Sequence, residues 1–298
     1  RKLLSDNKDR IWYAGIIIIA ANAGGAWSPI GDVTTTMLWM GGKVTTLKLF
    51  QYLFLPSLVC MVVPTFIASF LPAFKGEFIE AHSTGKDNPK GPIMLYVGLV
   101  LIIFVPIFKT VTHLPPYVGM LLSLAIMVLL AELVSARTFS IHNIDTPDQG
   151  HQPSATFKAL SKIEMPSILF FLGILMTVAA LESLGLVFTF GQQVQGAMNN
   201  NLFVMILGVS SAIIDNVPLV AASMGMFDMA TFEQDSTIWH FIAYATGTGG
   251  SMLIIGSAAG VVAMGMERIS FFWYLKNIAW LALAGYISGA AVYAILVL

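Results

Sequence analysis

Long apolar stretches, separated by polar connections, dominate the chain. Five of them approach or exceed the roughly 20 residues that a helix needs to cross the hydrocarbon core of a membrane. They are Leu47–Leu71, Pro92–Phe108, Leu114–Val134, Met165–Phe190 and Phe271–Leu298. The polar stretches 72–91 and 135–162 are predicted to be cytoplasmic loops. The pattern predicts an all-α polytopic membrane protein.

Three further apolar stretches, 11–42, 202–227 and 238–266, carry polar or glycine-rich breaks at their centres. Irregular backbone at membrane depth is tolerated only where it is buried in protein or lines a cavity. Ordinary packing of glycine-rich helices explains the glycines but not the polar residues beside them. We therefore predict discontinuous helices at 11–42 and 238–266 and a re-entrant hairpin at 202–227.

Composition and charge narrow the class of protein. Of the residues, 57% are hydrophobic and only 10% are charged, which argues against a soluble enzyme. Fifteen basic and sixteen acidic residues leave no basic field for nucleic acid, so the expected partner is the lipid bilayer. The single cysteine, Cys60, excludes an intrachain disulfide framework.

The distribution of Lys and Arg predicts the orientation in the membrane. If Arg1 lies on the cytoplasmic side, most basic loop residues also lie on that side, and only Lys43, Lys48 and Lys109 lie outside. This arrangement treats 202–227 as re-entrant and leaves the C-terminus outside.

The two broken segments resemble each other. Residues 22–32 align without gaps to residues 247–257 at an offset of 225, and three pairs of glycines coincide. With the predicted orientation the two copies run in opposite directions, as in the inverted repeats of secondary transporters. We expect residues 1–71 to end the first repeat, 72–162 to connect, and 163–298 to form the second repeat.

The breaks supply oxygen atoms of the type that binds hard cations. They come from Asn22, Ser28, Asp32, Thr34, Thr35, Thr36, Asp215, Asn216, Thr246, Thr248, Ser251 and Ser257. Asp32 also suits a helix cap. An aspartate at membrane depth costs about 2.5–3.5 kcal/mol on insertion scales, and burial disfavours its charged form. The hypothesis is that a proton or a cation neutralises Asp32 and Asp215 in turn. For Glu182, a buried ion pair and a proton relay both remain open.

Three segments closely resemble the NhaD-type sodium/proton antiporters of the ion transporter superfamily. They are AANAGGAWSPIGDVTTTMLW at 20–39, SAIIDNVPLVAA at 211–222 and EMPSILFFLGILMTVAALES at 164–183. The resemblance implies Na⁺ (or also Li⁺) exported in exchange for H⁺ without a cofactor, in a homodimer of a bacterial inner membrane. It also implies two inverted repeats, each with a re-entrant hairpin and a broken helix.

The resemblance assigns the Na⁺ site to nine residues of this sequence. They are Asn22, Asp32, Thr34, Thr35, Ser211, Asp215, Asn216, Thr248 and Ser251. The Asp-Asn hairpin of the family's first repeat has no counterpart in this sequence. The offset places the equivalent of Asp215 about ten residues before Arg1. We therefore expect an N-terminally truncated chain that does not transport by itself.

Other functions are weighed against this interpretation. A related carrier of citrate, dicarboxylate or arsenite would prefer Ser-Asn-Thr at the hairpin tip and a nearby arginine. The tip Asp215–Pro218 and the absence of arginine from the breaks favour a cation. Two alternatives are not secondary transporters. One is a membrane-embedded enzyme that uses Asp32 and Asp215 as a catalytic pair, and the other is a structural subunit of a larger pump.

Overall fold

The regular structure in the described part of the chain is helical. The computed structural model describes residues 6–75, 91–135, 161 and 165–297. The α-helices are α1 (Asn7–Ala26), α2 (Val33–Met40), α3 (Thr46–Ser69), α4 (Gly91–Thr112), α5 (Pro116–Ser135), α6 (Met165–Ser183), α7 (Leu186–Ala197), α8 (Asn200–Ser210), α9 (Asn216–Met226), α10 (Thr237–Gly249), α11 (Ala258–Glu267), α12 (Phe271–Asn277) and α13 (Ala279–Val297). Short 3₁₀ turns lie at Pro72–Phe74 and Gly250–Met252. The predicted loops at 72–91 and 135–162 lie mostly outside the described residues.

Four of these helices are long and apolar enough to cross a membrane, and a bent pair, counted as one span, makes a fifth within the described ranges. The four are α3, α4, most of α5, and α13, and they coincide with predicted apolar stretches. They expose large apolar side chains such as Phe66, Ile103 and Ile295, which water would not favour. The chain is therefore a multi-pass α-helical membrane protein.

The prediction of one continuous span at Met165–Phe190 is wrong. Helix α6 ends at Ser183, and α7 begins at Leu186 after a bend of 77°. Gly185, between the two helices, has a φ of +72°, a conformation that glycine adopts without a steric penalty. Glu182 consequently lies in the last turn of α6, next to the bend.

The last apolar stretch also departs from a single helix. The prediction of a continuous span at Phe271–Leu298 is corrected by a break at Ile278, which separates α12 from α13. Ile278 is the C-cap of α12, and its φ of −112° lies outside ideal helical geometry. The polar residues Lys276 and Asn277 thus stand at the end of a short helix, and the spanning helix begins after them.

The described chain forms two compact units. The first comprises residues 1–83 and 171–298, and the second comprises residues 84–170. In the first unit, α3 and α13 approach closely because Gly285 and Gly289 have no Cβ. A Cβ at either position would collide with the carbonyl oxygen of Cys60 or Pro56. Small residues at such crossings are typical of helix packing in membranes.

Among the described residues of the second unit, α4 and α5 form a helical hairpin. The side chain of Phe108 fills the space beside Gly119, where an added Cβ would lie 2.9 Å from its ring. The hydroxyl of Ser123 donates to the carbonyl of Leu101 at 3.2 Å, which satisfies the polar group inside the pair.

Candidate ion site at the helix breaks

Both broken helices are held together at their breaks by a pair of glycines. A Cβ added to Gly25 would lie 2.9 Å from the carbonyl oxygen of Gly31, and one added to Gly31 would lie 2.7 Å from that of Gly25. Gly250 and Gly256 block each other's Cβ positions in the same way. The offset of 225 residues relates Gly25 to Gly250 and Gly31 to Gly256, so equivalent positions make equivalent backbone contacts.

The turn between α8 and α9, residues 211–215, packs into the second break. The hydroxyl of Ser211 donates to the carbonyls of Gly208 at 2.7 Å and Thr246 at 3.2 Å. An added Cβ at Gly256 would lie 2.6 Å from the carbonyl oxygen of Ala212. Ser211 therefore joins this turn to helix α10 and does not point its hydroxyl proton at an empty site.

Asp32 is the centre of the polar cluster. Its Oδ1 accepts from the backbone N–H of Val33 at 2.8 Å and so caps α2. Its Oδ2 accepts from the hydroxyl of Thr34 at 2.5 Å and from the amide of Asn216 at 3.2 Å. Thr34 is fully buried and Asn216 is 6% exposed. Thr34 and Asn216, which lies 184 positions after Asp32, thus share one carboxylate.

Asp215 stands at the start of α9, beside Asn216. It is half-buried, and its Oδ1 accepts from the N–H of Val217 at 3.1 Å. Its charge acts on the Asp32 carboxylate. The N-termini of α2 and α9 therefore bring two carboxylates into one electrostatic cluster, and helix N-termini stabilise such negative charge.

The remaining hydroxyls of the first break hold the backbone. Thr35 donates to the carbonyls of Ser28 at 2.8 Å and Asp32 at 2.9 Å, and Thr36 also donates to Asp32 at 2.9 Å. Thr35 is fully buried. These bonds fix the shape of the turn before α2, so Thr35 supports the Asp32 cluster through the backbone.

The second break differs in how it uses its hydroxyls. Thr248 donates to the carbonyl of Tyr244 at 2.7 Å, and Ser251 donates to that of Thr248 at 2.6 Å. Both hydroxyl protons are thereby used within the second broken helix, although the oxygen lone pairs can still accept or coordinate. No bond of the described residues joins Thr248 or Ser251 directly to Asp32.

Asn22 belongs to a second, uncharged polar contact. Its Nδ2 donates to the carbonyl of Ile18 at 2.9 Å and to the hydroxyl of Ser257 at 3.0 Å. Ser257 in turn accepts from the N–H of Gly260 at 3.2 Å and caps α11. Asn22 therefore links the first broken helix to the second.

Glu182 lies near α9 and the α2–α3 connection. Its Cδ would be 3.2 Å from a Cβ on Gly225, and its charge acts on Lys43 together with that of Asp228. Burial lowers the pKa of the Lys43 ammonium, while those two carboxylates act in the opposite direction. An ion pair across this region and a relay of protons both remain open for Glu182.

A polar contact around Asp235 is not predicted by the sequence pattern. Its carboxylate accepts from the N–H and the hydroxyl of Thr45 at 2.7 and 2.8 Å, and its N–H donates to the carbonyl of Lys43 at 2.9 Å. His240, which is fully buried, has its Nε2 3.3 Å from Asp235 Oδ1. The residues that meet are some 190 positions apart, and the only local signal is an acidic residue in a loop.

Comparison with known proteins places these features in a family. The family described as "Citrate transporter" matches residues 2–241. The chain is 44% identical over 297 residues to "Sodium/proton antiporter 1" of Arabidopsis thaliana, covering 98% of this chain and 50% of that protein. It is 41% identical over 299 residues to "Sodium/proton antiporter 2" of the same plant, covering 98% and 69%.

A bacterial relative agrees with the plant ones. "Na(+)/H(+) antiporter NhaD" of Vibrio parahaemolyticus is 36% identical over 294 residues, covering 92% of this chain and 69% of that protein. The chain thus spans about half the length of the first plant relative and about two thirds of the other two. All three are named as antiporters, which are carriers and not enzymes. The chain belongs to the citrate transporter family and, within it, to the NhaD-type sodium/proton antiporters.

Proposed function

We propose that the full-length protein exchanges Na⁺ for H⁺ across a membrane, with Asp32 and Asp215 as the groups that bind the cation or the proton. The observation that carries this proposal is that Thr34 and Asn216 both donate to the Asp32 carboxylate, with Asp215 near enough for its charge to act on Asp32. Buried charge is costly, so each carboxylate is neutralised before the site moves through the membrane. A proton and a cation compete for that role, and this competition couples their movements.

The same cluster disfavours an anionic substrate. Helix N-termini alone attract anions, but those of α2 and α9 are capped by Asp32 and Asp215. A citrate or dicarboxylate placed there would meet two negative charges. The sequence carries no arginine in the breaks to offset them. A cation fits this site, and Li⁺ would use the same oxygen ligands.

We further propose that the two broken helices are an inverted repeat around this site. Their glycine pairs make equivalent contacts, and the contacts between them are reciprocal. Asn22 bonds to Ser257, while Gly247, the equivalent of Asn22, lies against Asp32, the equivalent of Ser257. Disulfide cross-linking in membranes tests this assignment. Cysteines introduced at positions 22 and 257 should form a disulfide bond.

Contacts at the helix ends support the same relation. Arg10, near the start of α1, pairs with Glu267 at the end of α11 at 3.0 Å. The offset relates Arg10 to Asp235, which precedes α10 and bonds to Lys43 after α2. Each contact joins the beginning of one broken helix to the end of the other.

One difference between the copies supports a hairpin in the first repeat. Gly249 packs against the carbonyl of Gly208 and lies near the Ser211 hydroxyl, whereas its equivalent, Gly24, is exposed, and no atom of the described residues lies within 4 Å of an added Cβ there. We propose that a counterpart of α8 and α9 covers Gly24. By the offset it corresponds to positions before Arg1.

The test of the exchange uses the full-length protein in liposomes. A Na⁺ gradient should move protons without ATP in the wild type, and Asp32→Asn or Asp215→Asn should abolish this movement. Asparagine retains the helix cap, so the loss would report the missing charge. Asp6→Asn is the control because Asp6 also caps a helix, α1, and is exposed. Near-normal exchange in either site variant would contradict the proposal.

A further inference from the structure

Ser257 accepts two hydrogen bonds at once. The N–H of Gly260 reaches its Oγ at 3.2 Å, which caps α11, and the Nδ2 of Asn22 reaches the same oxygen at 3.0 Å. Ser257 is 8% exposed. A hydroxyl oxygen has two lone pairs, and both of them face donors in this arrangement. The side chain is therefore more than a helix cap, because it also binds a residue of the first broken helix.

The amide of Asn22 can take only one orientation here. Its Nδ2 also faces the carbonyl of Ile18 at 2.9 Å, and a carbonyl oxygen can only accept. A rotation of the amide by 180° would lose the bond to Ile18 and set two carbonyl oxygens against each other. Both N–H groups are thus committed, and among the described residues no donor reaches Oδ1. Asn22 Oδ1 is therefore available to coordinate a cation.

The position of Ser257 is the equivalent of Asp32 in the repeat. Each stands at the N-terminus of the second half of a broken helix, and each accepts from an asparagine amide, Asn22 or Asn216. Asp32 brings a charge to this position, whereas Ser257 brings a neutral acceptor. The charged Asp32 is suited to exchanging one bound cation or proton for another. The neutral Ser257 is suited to orienting the neighbouring Asn22 side chain.

We propose that Ser257 is a positioning residue of the ion site, which holds the Asn22 amide with its N–H groups turned away and its Oδ1 presented to the cation. This inference rests on the proposed exchange of Na⁺ for H⁺. Without Ser257 the amide keeps only its bond to Ile18, so the direction in which Oδ1 points is held less firmly. The cation then binds more weakly, while the carboxylates that exchange it for a proton are unchanged.

The experiment measures proton movement driven by increasing Na⁺ concentrations, with the full-length protein in liposomes. Ser257→Ala should raise the KM for Na⁺ about fivefold, the typical equivalent of one net hydrogen bond, with a maximal rate within about twofold of the wild type. Ser257→Thr, which keeps the hydroxyl, should restore the KM. Ser257→Gly removes the hydroxyl with little loss of capping, so it serves if the alanine variant folds poorly.

A matched control separates capping from positioning. Ser270 caps α12 by accepting from the N–H of Trp273 at 3.2 Å, and its described bonds do not involve Asn22. Ser270→Ala should therefore leave the KM for Na⁺ unchanged. The double variant of Asn22→Ala and Ser257→Ala should have the same KM as Asn22→Ala, because Ser257 acts through that amide.

The outcomes distinguish this inference from the proposed function. A wild-type protein that moves no protons in response to Na⁺ would overturn both. Exchange with an unchanged KM in Ser257→Ala and Ser257→Gly would overturn the positioning role alone. Independent, multiplying effects of Asn22→Ala and Ser257→Ala would also overturn it, since Ser257 would then act by another route.

Discussion

The packing of the two broken helices predicts opposite effects for the same substitution at two equivalent glycines. In Gly249→Ala the new methyl group would overlap the carbonyl oxygen of Gly208 and lie 2.6 Å from the Ser211 hydroxyl. In Gly24→Ala the methyl group would meet nothing within 4 Å in the described residues. Both glycines are helical, so the change in backbone preference is alike in kind.

The expected magnitudes follow from these two environments. Alanine stabilises a helix by about 0.5–1 kcal/mol relative to glycine. Overpacking costs typically about 1–3 kcal/mol, and the obstacle at Gly249 is backbone, which cannot turn aside as a side chain can. We expect Gly249→Ala to lower the free energy of unfolding by about 1–2 kcal/mol. Gly24→Ala should leave it unchanged or raise it by up to about 1 kcal/mol.

The assay is the midpoint of thermal denaturation of residues 1–298 in detergent micelles. Gly173→Ala is the control for helix preference alone, because Gly173 lies within α6 with nothing within 4 Å of an added Cβ. Gly24→Ala should behave as this control does, and Gly249→Ala should denature at a lower temperature. Equal midpoints for the Gly24 and Gly249 variants would refute the packing argument.

The same pair of variants tests the proposed first-repeat hairpin in the full-length protein. If a counterpart of α8 and α9 covers Gly24, then Gly24→Ala becomes as destabilising there as Gly249→Ala. The contrast between the two lengths of protein isolates the contribution of the covering segment. A Gly24→Ala variant that stays neutral in the full-length protein would rule out close packing on this glycine.

Two further substitutions test contacts that the sequence alone did not indicate. Asp235→Ala should lower the free energy of unfolding by about 1–2 kcal/mol, because it removes two hydrogen bonds to Thr45 at the start of α3. Asp235→Asn should recover part of this loss. Thermal denaturation measures both variants. Gly185→Ala should cost about 1 kcal/mol, because alanine disfavours a φ of +72°; equal stability of this variant and the Gly173→Ala control would contradict the role assigned to the bend.

Hydropathy predicted much of the helical architecture because a membrane requires long apolar helices and tolerates few exceptions. The spans around α3, α4 and α5 follow from length and apolarity alone. The bend at Gly185 could not be predicted in this way, because the hydropathy of an apolar stretch is the same whether its helix continues or bends. The sign of φ at one glycine decides the outcome, and a glycine in an apolar stretch gives no indication of it.

The candidate site was predictable in its residue types but not in its partners. Polar residues at membrane depth marked Asp32 and Asn216, yet the bond between them joins positions 184 residues apart. The contact of Asp235 with Thr45 was missed because neither residue is unusual for a loop or a helix start. Long-range pairing depends on tertiary packing, so a single sequence shows the donors and acceptors without showing which of them meet.

In the proposed repeat, only one of two equivalent helix caps needs to carry charge. If Ser257 were also a carboxylate, two anionic caps would each require a neutralising ion during the movement through the membrane, at a cost that grows with every uncompensated charge. With a hydroxyl there, α11 keeps its cap, Asn22 keeps its acceptor, and no additional charge must be neutralised. The proposed exchange of cation for proton is then confined to the cluster around Asp32 and Asp215. In this proposal the symmetry of the repeat positions both caps, and the difference in their side chains assigns the ion chemistry to one of them.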